Sequence, residues 1–119
     1  MTETEIVLRC VSLGHLVALA EESFGDFVKA VVDVEKGIMA IGGELHADEE
    51  AALLADGSRQ ADLWGINLYP AEYGEATWIE FDSMINVRPA QGNRSRGVGD
   101  AATQERIAEI VDRLVAVGS

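Results

Sequence analysis

An α+β fold, mainly an antiparallel sheet of three to five strands with helices packed on one face, is predicted by three features of the 119-residue sequence. Apolar residues recur at helical spacing at both ends, they alternate with polar ones through the middle, and Gly, Pro, Asn and Asp punctuate the boundaries. No internal repeat or interdomain linker interrupts this pattern, so one α+β domain over 1–119 is expected.

Ile6 to Cys10 is a short apolar run bounded by Ser12, which predicts a first strand. Ser12 suits an N-cap. Leu13, Leu16, Val17 and Ala20 then recur at three- and four-residue spacing, predicting a helix that ends near Glu22 and Ser23. His15 lies between members of that stripe, at a position expected on the surface. Phe24 to Ile41 fits two templates. Val28, Ala30, Val32 and Val34 alternate as in a strand, whereas Phe24, Phe27, Val28, Val31, Val34, Ile38 and Ile41 follow the helical period. The longer match favours a helix, with Asp26 near its start and Gly42-Gly43 ending it.

Beyond the glycines the pattern predicts strands: Glu44 to Ala55, a turn at Asp56-Gly57-Ser58, Leu63 to Tyr69, a connection from Pro70 to Glu75, and Thr77 to Arg88, stopped by Pro89. In the last, Ile79, Phe81, Ser83, Ile85 and Val87 would form one face, buried under helices. Trp78, Glu80, Asp82, Met84, Asn86 and Arg88 would form the other. Trp64, Ile66 and Leu68 oppose Leu63, Asn67 and Tyr69 in the preceding strand, placing Trp64 in the core and Trp78 on the opposite sheet face. There Trp78, Tyr69 and Met84 would line an apolar floor. Asp100 reads as the N-cap of a closing helix whose stripe is Ile107, Ile110, Val111, Leu114 and Val117.

The chain is 48% hydrophobic with a net charge of −12, so it has the apolar content of a globular protein and the wrong sign for nucleic acid or an anionic membrane surface. Neither partner is expected. A single cysteine, Cys10, leaves no intrachain disulfide or cysteine-based zinc cage, and an acidic start without a long apolar run predicts no signal peptide or membrane span. These features point to the cytoplasm.

Three strings carry a resemblance: Gly42-Gly43-Glu44-Leu45-His46-Ala47-Asp48, Leu63-Trp64-Gly65-Ile66-Asn67-Leu68-Tyr69-Pro70, and Trp78 to Pro89 continued by Gln91-Gly92-Asn93-Arg94-Ser95-Arg96-Gly97-Val98. Together they resemble a family of small bacterial proteins of unknown function. The resemblance covers most of the chain and implies no activity, cofactor or catalytic residue.

Known site motifs fail on inspection. Gly92 to Gly97 has the opening spacing of a P-loop, but Val98-Gly99 stands where a lysine and a hydroxyl residue are needed. Gly97-Val98-Gly99-Asp100-Ala101-Ala102 matches a loose dinucleotide fingerprint, yet too little chain follows for a second parallel strand, and no cofactor is expected. Ser95 lacks the first glycine of a nucleophile elbow. Glu44, His46 and Asp48 would share one face of a strand and could join Glu80 and Asp82, but neighbours on one strand converge poorly on a metal and no second histidine stands in register. No metal site is expected.

One segment differs chemically from its surroundings. From Glu21 to Asp82 fifteen carboxylates face Lys29, Lys36 and Arg59 alone, whereas 83–99 has no carboxylate and carries Arg88, Arg94 and Arg96 among Asn86, Gln91 and Asn93. Such a loop binds a small anion of the phosphate or carboxylate type, or it clasps its own or a neighbouring subunit's acidic residues in a structural or interaction module. The first reading takes Asn86, Arg88, Gln91, Asn93, Arg94 and Arg96 as ligand donors and Glu80 or Asp82 as the acid-base group, since adjacent carboxylates on one face raise each other's pKa. The second allows a homo-oligomer formed through the exposed sheet face. Whether the chain is an enzyme stays open at this level.

Overall fold

The computed structural model describes residues 4–117. Its elements are β1 (Glu5–Val7), β2 (Val11–Ser12), α1 (Leu13–Glu22), β3 (Val28–Asp33), β4 (Ile38–Ile41), α2 (His46–Ala55), β5 (Leu63–Leu68), β6 (Ile79–Glu80), α3 (Ala101–Leu114) and β7 (Val115–Ala116). Five strands form an antiparallel sheet in the order β1-β4-β3-β5-β6, so the fold is α+β. Val11 and Ser12 of β2 pair in parallel with Val115 and Ala116 of β7, tying the start of α1 to the end of α3.

The helices at the two ends follow from their caps and stripes. Ser12 Oγ accepts from the His15 N–H at 3.0 Å, and Asp100 Oδ2 from the Thr103 N–H at 3.1 Å. Leu16, Leu19 and Ala20 of α1 and Ile107, Ile110, Val111 and Leu114 of α3 enter one core with Val28, Ala30 and Val32 of β3. Val17 and Val117 stay exposed.

The segment 24–41 is a β3–β4 hairpin, not a helix. Val28, Ala30 and Val32 face α1 and α3, while Val31 packs with Leu53 of α2 on the other side. A strand buried on both faces is apolar at nearly every position, so it fits a helical template as readily as an alternating one. The tight turn settles the matter. Asp33 Oδ1 accepts from the N–H groups of Glu35 and Lys36 at 2.9 and 2.8 Å, and Gly37 takes a φ of +71°. From α3, Arg106 Nε donates to Val34 O at 3.2 Å and Arg113 Nη2 to Gly37 O at 2.7 Å, fastening the turn.

The stretch 44–55, expected as a strand, is largely α2. Ala47, Ala51, Ala52, Leu53, Leu54 and Ala55 favour helix, and Asp48 sits in its first turn, where the helix dipole favours negative charge. Leu53 packs with Val31, Ile38, Ala40 and Leu63. The helices therefore lie on both faces of the sheet, α1 and α3 on one and α2 on the other, rather than on one face as expected. A parity rule explains the division: odd positions of β3 and even positions of β4 point toward α2.

The strand expected over 77–88 is shorter than predicted. Only Ile79 and Glu80 pair with β5, and a 3₁₀ turn at Met84–Asn86 replaces the rest. A Cβ on Gly65 would lie 2.5 Å from the Cβ of Ser83, so the chain crosses closely over β5 instead of running beside it. Ile79 and Phe81 pack on the α1/α3 core and Ile85 on the α2 side, so the apolar residues expected on one face are divided between two. Trp78 also departs from expectation: it is 4% exposed and shares the core of Trp64, while Met84 is exposed.

Candidate functional site

Asn86, Asn93, Arg88 and Arg96 of 83–99 are bound to the chain itself. Asn86, fully buried, accepts from Gly65 N–H at 2.8 Å through Oδ1, and its Nδ2 donates to Gly65 O and Arg96 O, each at 2.9 Å. Asn93 Nδ2 donates to the carbonyls of Asn86, Ser95 and Gly97, and its Oδ1 accepts from Gly99 N–H at 2.9 Å. Arg88 and Asn93 also exchange backbone hydrogen bonds across a turn that Gly92 closes at a φ of +84°.

Arg88 is the clasp between this loop and β5. Its guanidinium lies 4.1 Å from the centre of the Trp64 ring and donates to Gln60 O at 2.6 Å and to Leu63 O. Burial lowers its pKa from the ordinary arginine value. Gln91 Nε2 reaches Ala61 O at 3.4 Å. Arg96 Nε donates to Asp82 Oδ1 at 2.6 Å in a half-exposed pair, and Arg94 is exposed with no hydrogen bond or ion pair among the described residues. A cavity of about 530 Å³ beside the loop is lined by Trp64, Gln91, Asn93, Asp100 and Thr103 together with glycines. None of the three arginines lines it. The Asp100 carboxylate does, held below the usual carboxylate range by hydrogen bonds from Thr103.

Polar side chains converge elsewhere, on the sheet face beside the start of α2. The register sets Lys29 of β3 opposite Asn67 of β5, and Asn67 opposite Glu80 of β6, so the three form a row across three strands on one face. Asn67 Nδ2 donates to Glu80 Oε1 at 2.9 Å and to Asp82 O at 3.3 Å. Tyr69 hydroxyl donates to the same Glu80 oxygen at 3.1 Å, and burial together with the Glu80 carboxylate pushes its pKa up. Asn67 is 7% exposed, and its Oδ1 has no partner among the described residues. Buried acceptors are nearly always paired, so such an atom marks a place where a donor fits.

Lys29 makes no ion pair among the described residues; its ammonium lies 4.8 Å from the centre of the Phe24 ring. Phe24 stacks on Phe27 at 4.7 Å, and Phe27 meets Tyr69 at 5.5 Å, giving the row an aromatic border. His46, at the first position of α2, donates from Nε2 to Ile66 O at 2.8 Å. Burial lowers its pKa; the hydrogen bond to Ile66 O opposes this, Lys29 lowers it further, and Asp82 and the neighbouring Asn67 side chain raise it. The imidazole is therefore neutral at pH 7, with Nδ1 as the ring's acceptor.

The sequence-level candidates thus separate. Glu80 and Asp82 belong to this face, as does His46; Asn86, Arg88, Gln91 and Asn93 secure the loop, with Arg94 and Arg96 at its surface. Glu44 and Asp48 do not line up with His46 as strand neighbours would, because His46 begins a helix. Among the described residues no group of three or more His, Cys, Asp and Glu side chains could hold a metal ion. Lys29 and the free oxygen of Asn67 escaped sequence reasoning. Lys29 follows from the strand alternation of 28–34, which the competing helical pattern masked.

The model of a family described as "Protein of unknown function (DUF5674)" matches residues 5–114, which includes the three strings noted in the sequence. No curated protein is significantly similar to the chain. Nor is any solved structure.

Proposed function

The chain belongs to the DUF5674 family, whose function is unknown, and we propose that it binds a small ligand carrying a phosphate or carboxylate group on the sheet face beside α2. The observation that carries this reading is the row Lys29–Asn67–Glu80, in which a cation without an ion pair adjoins a buried acceptor that makes no full hydrogen bond among the described residues and has the His46 imidazole beside it. Lys29 supplies the charge for the anionic group. Asn67 Oδ1 accepts from a ligand N–H or O–H, and neutral His46, Tyr69 and Glu80 offer groups able to accept or return a proton. The aromatic border of Phe24, Phe27 and Tyr69 supplies the apolar contact that small-ligand sites combine with a few polar groups.

For the arginine loop itself a structural role is supported by one specific observation, with backbone carbonyls in place of the acidic partners expected: Asn86, Asn93 and Arg88 direct their donors at the chain's own carbonyls, and Arg96 alone pairs with a carboxylate among the described residues. The loop then acts as a scaffold for Glu80 and Asp82 rather than as the anion site. Arg94 and Arg96 remain its surface cations.

Thermal shifts with phosphorylated and carboxylated metabolites test both readings, because a ligand selective for the native state raises its apparent stability. Lys29→Gln is expected to abolish the shift, and Arg94→Gln/Arg96→Gln to leave most of it. The reverse pattern would place the anion on the loop. Absence of any ligand-dependent shift across the screen would remove the ligand-binding reading in favour of an interaction module.

A further inference from the structure

A cavity of about 560 Å³ lies between α3 and β6, lined by Tyr73, Trp78, Ile79, Phe81 and Ala108, with Glu75 and Asp112 at its polar margin. This volume falls within the range of small-molecule sites, and the apolar lining is dominated by aromatic rings. Tyr73 and Trp78 meet edge to face, with centroids 5.0 Å apart and planes at 69°. No Lys or Arg lines the cavity, so an anion entering it would meet two carboxylates and no compensating charge.

We propose that this cavity binds an organic ammonium ion, with its apolar body among Tyr73, Trp78 and Phe81 and its ammonium group beside Glu75 and Asp112. Three observations converge on that chemistry. Aromatic faces attract cations through their quadrupole, and they do so more strongly when water is excluded. Both carboxylates are exposed at the rim, where they can meet a charged group without being buried themselves. A neighbouring cavity of about 400 Å³ shares Ala76 and Ile79 with the first, adds Glu72 and no cation, and ends at Tyr69 and Glu80 of the sheet face described above. The first cavity thus has an anionic margin and an aromatic floor. Trp78 refines the ligand further: it lines the cavity, and its buried Nε1 has no acceptor among the described residues. A hydroxyl oxygen on the ligand would supply one. The class indicated is an arylalkyl amine bearing a hydroxyl group, distinct in charge and place from the anionic ligand proposed for the opposite side of the sheet.

The probe is 2-amino-1-phenylethanol, compared with 1-phenyl-1,2-ethanediol, which replaces its ammonium by a neutral hydroxyl. Titrations followed by tryptophan fluorescence and by calorimetry are expected to show saturable binding of the amine, at least about tenfold tighter than the diol. Glu75→Gln/Asp112→Asn is expected to erase that preference while leaving binding of the diol unchanged. Glu21→Gln/Glu22→Gln removes the same charge from exposed positions of α1 and is expected to keep it. Circular dichroism establishes that each variant is folded. Equal affinity for amine and diol, an equal loss in both double variants, or no saturation by about 10 mM amine would overturn the proposal.

Discussion

The side-chain amide of Asn86 pairs with the backbone of Gly65 as a neighbouring strand would, accepting from its N–H at 2.8 Å and donating to its C=O at 2.9 Å. Along the same edge of β5, Glu80 pairs with Asn67 through the short strand β6, and Arg88 donates to Leu63 O. Positions 67, 65 and 63 are thus completed in turn by a strand, an amide and a guanidinium. A fully buried strand cannot leave its backbone groups unpaired, and the polar residues of 83–99 supply the partners after β6 has ended.

Asn86→Ala removes that pairing, leaving the buried N–H and C=O of Gly65 without their partner and the carbonyl of Arg96 with the Ser83 N–H alone. A loss of about 3 kcal/mol or more is expected in urea melts. Asn86→Asp is expected to be no milder, because it keeps the acceptor, loses the donor and buries a charge. A loss below about 0.5 kcal/mol for either variant would remove Asn86 from the set of groups holding the loop.

Gly65→Ala places a methyl group 2.5 Å from the Cβ of Ser83 and 2.6 Å from its Oγ. The crowding is expected to cost about 1–3 kcal/mol. Adding Ser83→Gly to the same chain relieves the contact while removing the Ser83 cap of the following turn, so a partial recovery is expected. Additive losses in the double-mutant cycle would disprove direct crowding.

The two classes of arginine are expected to separate in a stability comparison. Arg88→Lys loses the planar stack on Trp64 and the forked donation to Gln60 O and Leu63 O, at a cost of about 1–3 kcal/mol. Arg94→Gln, at an exposed site without partners among the described residues, is expected to stay within about 0.5 kcal/mol of the parent. Equal effects at the two positions would contradict the clasp.

Glu49 ties pH to stability from inside the fold. It is fully buried, Oε2 accepts from Gly43 N–H at 2.9 Å, Oε1 has no partner among the described residues, and burial raises its pKa well above the usual carboxylate value. Below pH 4.5 both folded and unfolded chains hold the proton. As pH rises above that, the unfolded chain releases it first, so stability falls until the folded-state pKa is passed. Glu49→Gln is expected to match the parent near pH 4 and exceed it in melting temperature at pH 7–8. A parent whose stability rises over that interval in step with the variant's would show that Glu49 is ionised without penalty.

His46 acts at the other end of the scale, because its lowered pKa lets the unfolded chain take up a proton first as pH falls below 6.5. Its contribution is present above that value and lost on acidification through the folded-state pKa. Nitrogen-15 NMR is expected to show a neutral ring at pH 7, protonated at Nε2, with a midpoint below 6.5. A midpoint at or above 6.5 would contradict the environment described.

The fold class, the capped helices at both ends, the strand at Leu63 and the chemical singularity of 83–99 were legible in the residues alone. Each is a local signal: Ser12 and Asp100 cap within three residues, and the stripes of α1 and α3 repeat within one element. The hairpin at 28–41 and the helix at 46–55 were not legible. Burial on both faces put apolar residues on the second face of β3 as well, so its alternation competed with a helical period, and α2 could be recognised as the cover of that face only when the sheet was in place.

The same distinction governs the site. Composition alone singles out Arg88, Asn86 and Asn93 but does not say whether their donors face a ligand or the chain, since that depends on which carbonyls β5 leaves open at its edge. Lys29, Asn67 and Glu80 are separated by 38 and 13 positions, and only the register of three antiparallel strands brings them into one row. Residue type determined what chemistry was available to this chain. Strand pairing decided which of those groups meet, because side chains distant in sequence become neighbours only through the backbone hydrogen bonds that set the register.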